Sequence, residues 1–178
     1  MARAIILGCG MSGADYASLP GDHIYAVNDA AKFGHKIDTL VFINRPSQFP
    51  QHRLDIIKAT QAERVFCLHT NTDYWSAIFP HVVKLPLLER WRSGAKYYKE
   101  KLYHTADSPF TAMTLAIHEG HKEIVLFGVD FVNHIYITAL SAVPSYSQVA
   151  RRVEYLGVKL YKGTDYSRLQ LPVWNMPL

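Results

Sequence analysis

Short apolar runs rich in β-branched residues recur along the chain at residues 4–7, 23–27, 39–43, 64–68, 82–85, 123–127 and 158–161. Several are apolar at nearly every position rather than at alternate ones, the pattern of strands covered on both faces of a parallel sheet. Between them, residues 49–60, 108–119 and 145–156 carry helical spacing. The best-marked helix opens at Ser108: serine predicts the N-cap, Pro109 the first helical position and Gly120 the stop. Phe110, Met113, Ile117 and the Leu115–Ala116 pair give it an apolar face. Strands alternating with helices predict βαβ units. The fold expected is therefore α/β, a single Rossmann-like domain with a mostly parallel central sheet and helices on both faces.

Two stretches break the pattern. Residues 131–143 form a weakly patterned connection after a strand. Residues 89–103 are basic and aromatic, with a Ser93-Gly94 joint. Three readings of the second stretch stay open: core packing of Trp91, Tyr97 and Tyr98, a lid over residues 89–104 that orders on ligand binding, or a surface where bases stack on aromatics.

Composition narrows the class. With 178 residues, 49% hydrophobic and 19% charged, the sequence reads as one globular domain over residues 1–178. No repeat or linker marks a boundary. Cys9 and Cys67 read as free thiols of a reducing compartment, Cys67 as a buried strand residue. No apolar run approaches the roughly 20 residues of a membrane span, and residues 1–8 read as a first strand rather than a signal peptide. The expected location is the cytoplasm. A net charge of +4 favours anionic ligands such as nucleotides without requiring nucleic acid. The nine histidines are scattered, as surface residues would be.

Ligands of open α/β sheets sit beyond the carboxyl ends of the strands. After the first strand comes Gly8-Cys9-Gly10-Met11-Ser12-Gly13. Its glycines allow backbone N–H groups close to a phosphate or ribose, and Ser12 can donate a hydrogen bond. The second strand ends in Asn28-Asp29, and Asp29 could serve the ribose of a dinucleotide. The third ends in Asn44-Arg45-Pro46-Ser47. An asparagine at a strand end can pair with a base edge or ribose, or simply cap a turn. The strand at 123–127 runs into Gly128-Val129-Asp130, a carboxylate behind a glycine that would let a ligand approach; it could equally cap a turn. His118-Glu-Gly-His121 lacks the spacing that puts two imidazoles on one helical face, so no metal site is expected there.

Taken together, Gly8-x-Gly-x-Ser12, Asn28, Asn44-x-Pro-Ser47 and the segment from Ser108 to Phe131 resemble the bacterial sialyltransferases of glycosyltransferase family 42. A related group with the pattern includes archaeal 6-hydroxymethylpterin pyrophosphokinases. The resemblance spans residues 3–161. It implies that Cys9, Gly10, Ser12, Asn28, Asn44 and Ser108 surround a cytidine nucleotide and its sugar, and the glycine reading adds Gly8 and Gly128 to the nucleotide-binding candidates. It also implies a metal-independent reaction with no resident cofactor, and the chain has no Asp-x-Asp motif. Three positions depart from the family. Cys9 stands where the family has asparagine, Thr105 where it has an arginine for the sialic acid carboxylate, and Val132 where it has a tyrosine. The family's catalytic histidine has no counterpart at its own position. His134 and Tyr136 in the loop after Asp130 are the replacements, as base and as phosphate donor, and Asp130 completes the catalytic candidates.

Three functions follow: a nucleotide-sugar glycosyltransferase with a CMP-type donor, a pyrophosphokinase-like phosphotransferase, or a non-catalytic nucleotide-binding protein. A phosphotransferase would need Mg²⁺ and a carboxylate cluster. The expected partner is a nucleotide or nucleotide-sugar donor. The acceptor stays open between a glycan and a nucleic-acid base, and a homo-oligomer is compatible with the sequence.

Overall fold

The computed structural model describes residues 2–86, 88–132 and 141–175. Its strands are β1 (Ala4–Leu7), β2 (His23–Val27), β3 (Ile37–Phe42), β4 (Ala62–Cys67), β5 (Val83–Lys84), β6 (Leu88–Arg90), β7 (Leu102–His104), β8 (Glu123–Phe127) and β9 (Lys159–Lys162). The helices are α1 (Gln51–Ala59), α2 (Thr72–Ser76), α3 (Ser108–His118) and α4 (Val143–Val153). Seven strands form one sheet in the order β5-β4-β3-β2-β1-β8-β9, with every neighbouring pair parallel. The chain winds outward from β1 to β5, then crosses back so that β8 pairs with the free side of β1. The topological switch therefore lies between β1 and β8, where α/β sheets place their ligands.

The near-continuous apolar runs are explained by cores on both faces. In β1, Ala4 and Ile6 join α3 and α4, whereas Ile5 and Leu7 face the other way, toward Ile57 of α1 and Trp75 of α2. Each strand thus sends alternate side chains into two separate cores. α3 is apolar nearly all round because it is covered twice, by the sheet and by β6 and β7, which pair in parallel with each other. That small sheet is what the irregular stretch at 89–103 builds. Trp91, Tyr97, Leu102 and Tyr103 are buried in the α3 core, while Tyr98 stays half exposed. Beyond β9 the chain returns to its edge. Lys162 donates to the Pro172 carbonyl (3.0 Å), Trp174 donates back to Lys162 (2.8 Å), and the Trp174 indole lies under the Arg3 guanidinium. Among the described residues, no helix is long and apolar enough to cross a membrane.

At the amino end of the sheet, a polar network replaces apolar contact. The Arg64 guanidinium forks onto Glu119 (2.7 and 2.9 Å) and donates to Thr39 Oγ1 (2.7 Å). Tyr25 donates its hydroxyl to the same carboxylate. His23 Nε2 lies 3.0 Å from Thr39 Oγ1 and 3.1 Å from Arg64. Every long polar side chain there has a partner, which is the condition for burying it.

This network sets an acid limit. Burial holds the His23 imidazole below its usual range, Arg64 and His121 push it further down, and Asp38 and Glu119 oppose them. A lowered folded value means that the folded state prefers the neutral ring. The linked stability is complete above the ordinary value of 6.5 and is lost as pH falls through the lower folded value. The urea midpoint of the wild type is expected to fall more steeply below about pH 6 than that of His23→Gln. Parallel curves would place the acid sensitivity in another group.

Candidate functional site

The carboxyl ends of β1 and β8 meet through their backbones. Gly8 N–H donates to the Phe127 carbonyl (2.8 Å) and Gly10 N–H to the Gly128 carbonyl (2.7 Å). A Cβ on Gly8 would strike Gly128, and one on Gly10 would strike the Asp130 carboxylate and lie 2.7 Å from the Gly128 oxygen. Gly128 has φ +66°, in the left-handed region that glycine tolerates without cost. The space around Gly8, Gly10 and Gly128, which the sequence reading kept for a ligand, is filled on these sides by the neighbouring loop.

Asp130 fastens this contact. Its buried carboxylate accepts the Ser12 N–H (2.9 Å) and the Ser12 hydroxyl, and the Ser12 oxygen accepts the Gly128 N–H (2.8 Å). Both residues of the sequence reading are therefore brought together, but in each other's grasp. Asp130 holds the glycine loop rather than offering a free acid.

The next strand ends are more open. Asn28 sits at φ +53°, and its side-chain oxygen is buried without a protein partner. A buried acceptor of that kind calls for a donor from outside the chain. Asp29, by contrast, is occupied: Arg53 Nε donates to it (2.8 Å), a second Arg53 nitrogen does the same, and Cys9 Sγ donates at 3.2 Å. Burial would raise the Asp29 carboxyl, but Arg53 and Cys9 outweigh it and hold the group below the usual range. Burial and the adjacent Asp29 charge push the Cys9 thiol up to about 12, so it is a donor and not a nucleophile. The Asn44 carbonyl accepts the Trp75 indole N–H (2.8 Å), which fixes the backbone that carries the Asn44 amide. Sequence reasoning missed three cations at these ends, Lys32, Arg45 and Arg53. Lys32 donates to the Cys9 carbonyl (2.8 Å), and Arg45 lies over the Tyr74 ring with Nε on Asn71 (3.2 Å). A cation among turn residues has no sequence signature of its own; the packing alone directs it here.

The fourth wall is the start of α3. Its N-cap is Asp107, not Ser108: the carboxylate accepts the Phe110 N–H (3.3 Å) and the Tyr146 hydroxyl, leaving Ser108 buried in the first helical position. Asp107 outcompetes serine because Tyr146 of α4 fixes its rotamer. Just upstream, Thr105 carries a buried hydroxyl with no protein partner. Ala106 at φ +70° and Phe131 at φ +54° complete a set with Asn28, and these are the non-glycine residues with positive φ among those described. All three lie in loops at the carboxyl end of the sheet. Left-handed backbone costs about 1–2 kcal/mol per residue outside glycine and asparagine, and such strain gathers at functional sites. His134 and Tyr136 lie outside the described residues.

No protein-family model and no curated protein matches the sequence. Solved structures do. A sialyltransferase, CstII from Campylobacter jejuni in complex with the substrate analogue CMP-3FNeuAc, is 15% identical with a TM-score of 0.59, over 97% of this chain and 85% of that one. The same enzyme with cytidine-5'-monophosphate is 17% identical at a TM-score of 0.53, over 99% and 86%. Monomeric CstII is 18% identical at 0.54, over 98% and 86%. At these identities the likeness is one of fold. What the likeness supports is a sialyltransferase-like fold.

The Asp107 cap makes a prediction of its own. Complete burial raises this carboxyl to about 6, although Tyr146 and Phe110 pull it down. A raised folded value favours the protonated form, so the linked stability is full below the unfolded value near 3.8 and is lost as pH rises through about 6. The loss amounts to roughly 2–3 kcal/mol at neutrality. Asp107→Asn keeps an oxygen for both donors and removes the charge. Its unfolding free energy should be flat between pH 5 and 8, where the wild type declines by about half that amount, the rest being lost below pH 5. A variant less stable than wild type at pH 8 would show that the carboxylate itself is needed.

Proposed function

We propose that this protein is a metal-independent glycosyltransferase that uses a nucleotide-activated sugar with a CMP-type donor. The observation that carries the reading is the likeness, over 97% and 99% of the chain, to sialyltransferase structures holding CMP-3FNeuAc and cytidine-5'-monophosphate. The unpartnered oxygen of Asn28 adds to it, since a carbonyl oxygen can accept from the cytosine amino group or a ribose hydroxyl. In this reading Cys9, Gly10, Ser12, Asn28 and Asn44 surround the nucleoside. Ser108 and the first turn of α3 face the phosphate, where a helix N-terminus favours negative charge.

Transfer breaks the bond between the sugar's anomeric carbon and the phosphate oxygen, and the electron pair leaves with the phosphate. The acceptor hydroxyl oxygen forms the new glycosidic bond and gives up its proton. His134 takes that proton, and Tyr136 donates to the oxygen on which charge develops. An imidazole with an ordinary value near 6.5 suits proton abstraction at neutral pH. The carboxylates at the strand ends are already engaged, Asp29 by Arg53 and Cys9 and Asp130 by Ser12. Neither is placed to hold a metal, which favours helix and hydroxyl donors as the means of stabilising the leaving phosphate.

CMP is expected to raise the melting temperature more than NAD does, and to do so equally in EDTA. Asn28→Ala should weaken CMP binding about tenfold, the value of a lost buried hydrogen bond. A preference for NAD, or loss of binding on chelation with recovery in Mg²⁺, would overturn the reading. In a transferase assay His134→Ala should lower turnover by roughly 100-fold or more with CMP affinity intact. Full turnover in that variant would move the base elsewhere.

A further inference from the structure

The positive charge of this chain is not spread evenly. Residues 89–101 hold five cationic side chains and two carboxylates, an excess of three in a molecule whose whole excess is four. Lys99 and Glu100 line a hollow with Ile117 and His118 of α3, and the rest gather beside β6 and β7. A cavity of about 440 Å³ opens there, lined by Arg90, Arg92, Lys96, Tyr98, Tyr103 and Glu89. Its one carboxylate is neutralised, because Lys101 Nζ sits 2.5 Å from Glu89. The three remaining cations have no anionic partner among the described residues. Arg90 is felt at the next strand, where burial first and then this guanidinium hold the His104 imidazole below its usual range. Tyr98 is half exposed beside them, tethered by its N–H to the Tyr103 hydroxyl (3.1 Å) and by Lys101, which lies 5.5 Å from its ring centroid.

We infer that this cavity is a binding site for single-stranded nucleic acid, with one base against Tyr98 and neighbouring phosphates on Arg90, Arg92 and Lys96. The volume lies in the range of small-ligand sites, roughly 300–1,000 Å³, enough for one nucleotide unit. Flat aromatic faces beside guanidinium and ammonium groups suit a base and its phosphates. An anionic glycan fits less well: the lining has no amide for its hydroxyls, and the single carboxylate is bound to Lys101. The chain leads from this cavity toward the strand-end site, since β7 ends at His104 and runs into Thr105 and the start of α3. The inference does not depend on the proposed sugar transfer.

Fluorescence anisotropy with a labelled oligothymidylate tests it, with labelled heparin as a polyanion that has no bases. With about three phosphates neutralised, oligonucleotide affinity should fall roughly 20-fold between about 50 and 200 mM salt. Arg92→Ala with Lys96→Ala should flatten that dependence by about 0.7 in logarithmic slope per charge removed. Tyr98→Ala should weaken the oligonucleotide roughly tenfold and leave heparin unchanged. These side chains are exposed, so unchanged melting temperatures confirm that each variant is folded. No oligonucleotide binding, a salt dependence indifferent to the double variant, or equal loss of heparin and oligonucleotide in Tyr98→Ala would each overturn the assignment.

Discussion

Three groups at one point, the Asp130 carboxylate, the Ser12 hydroxyl and the Gly128 N–H, hold the carboxyl ends of β1 and β8 together. β1 and β8 are adjacent but come from distant parts of the chain, and the winding of the sheet reverses between them. Their loops would diverge without a tie. Removing side chains at Gly8, Gly10 and Gly128 lets the two backbones touch, and the buried carboxylate converts that touch into a fixed angle. Asn28, Asn44 and the start of α3 are arranged around the result.

Much of this was legible in the residues. The seven runs of apolar residues became the seven strands of the sheet within a residue or two, because strands buried on both faces leave an unmistakable record. Helix 108–119 was marked by Pro109 and Gly120 at its ends. The small sheet of β6 and β7 was not legible: three-residue strands whose pairing covers a helix have no period of their own, and Trp91 and Tyr97 read as core, lid or nucleic-acid surface. The site was legible at the level of which loops form it. It was not legible at the level of which side chains are free, since Asp29 and Asp130 look available until Arg53 and Ser12 arrive from elsewhere in the chain. The Ser108 cap failed for the same reason: Tyr146, 39 residues away from Asp107, decides the contest.

The two ends of the sheet handle polarity in opposite ways. At the amino end Arg64, Glu119, Tyr25, His23 and Thr39 satisfy one another. At the carboxyl end Asn28 and Thr105 keep buried oxygens without protein partners, and Ala106 and Phe131 keep strained backbones. Buried nitrogens of Arg3 and His35 near the amino end also lack protein partners, so what sets the carboxyl end apart is the backbone strain that accompanies its unpaired oxygens.

The Ser12–Asp130 contact joins residues 118 apart, and this bears on how the chain leaves the ribosome. Until β8 has been synthesised, β1 is the open edge of a half-built sheet. Its sequence, Ala-Ile-Ile-Leu, presents unpaired backbone and bare apolar side chains, the features that make an edge strand sticky. The central position of β1 thus delays completion of both cores until β8 emerges, and non-local pairing of this kind closes slowly. For a nascent chain, the hazard is association with its neighbours on the same polysome, and slower initiation or a chaperone that covers the first strand would relieve it.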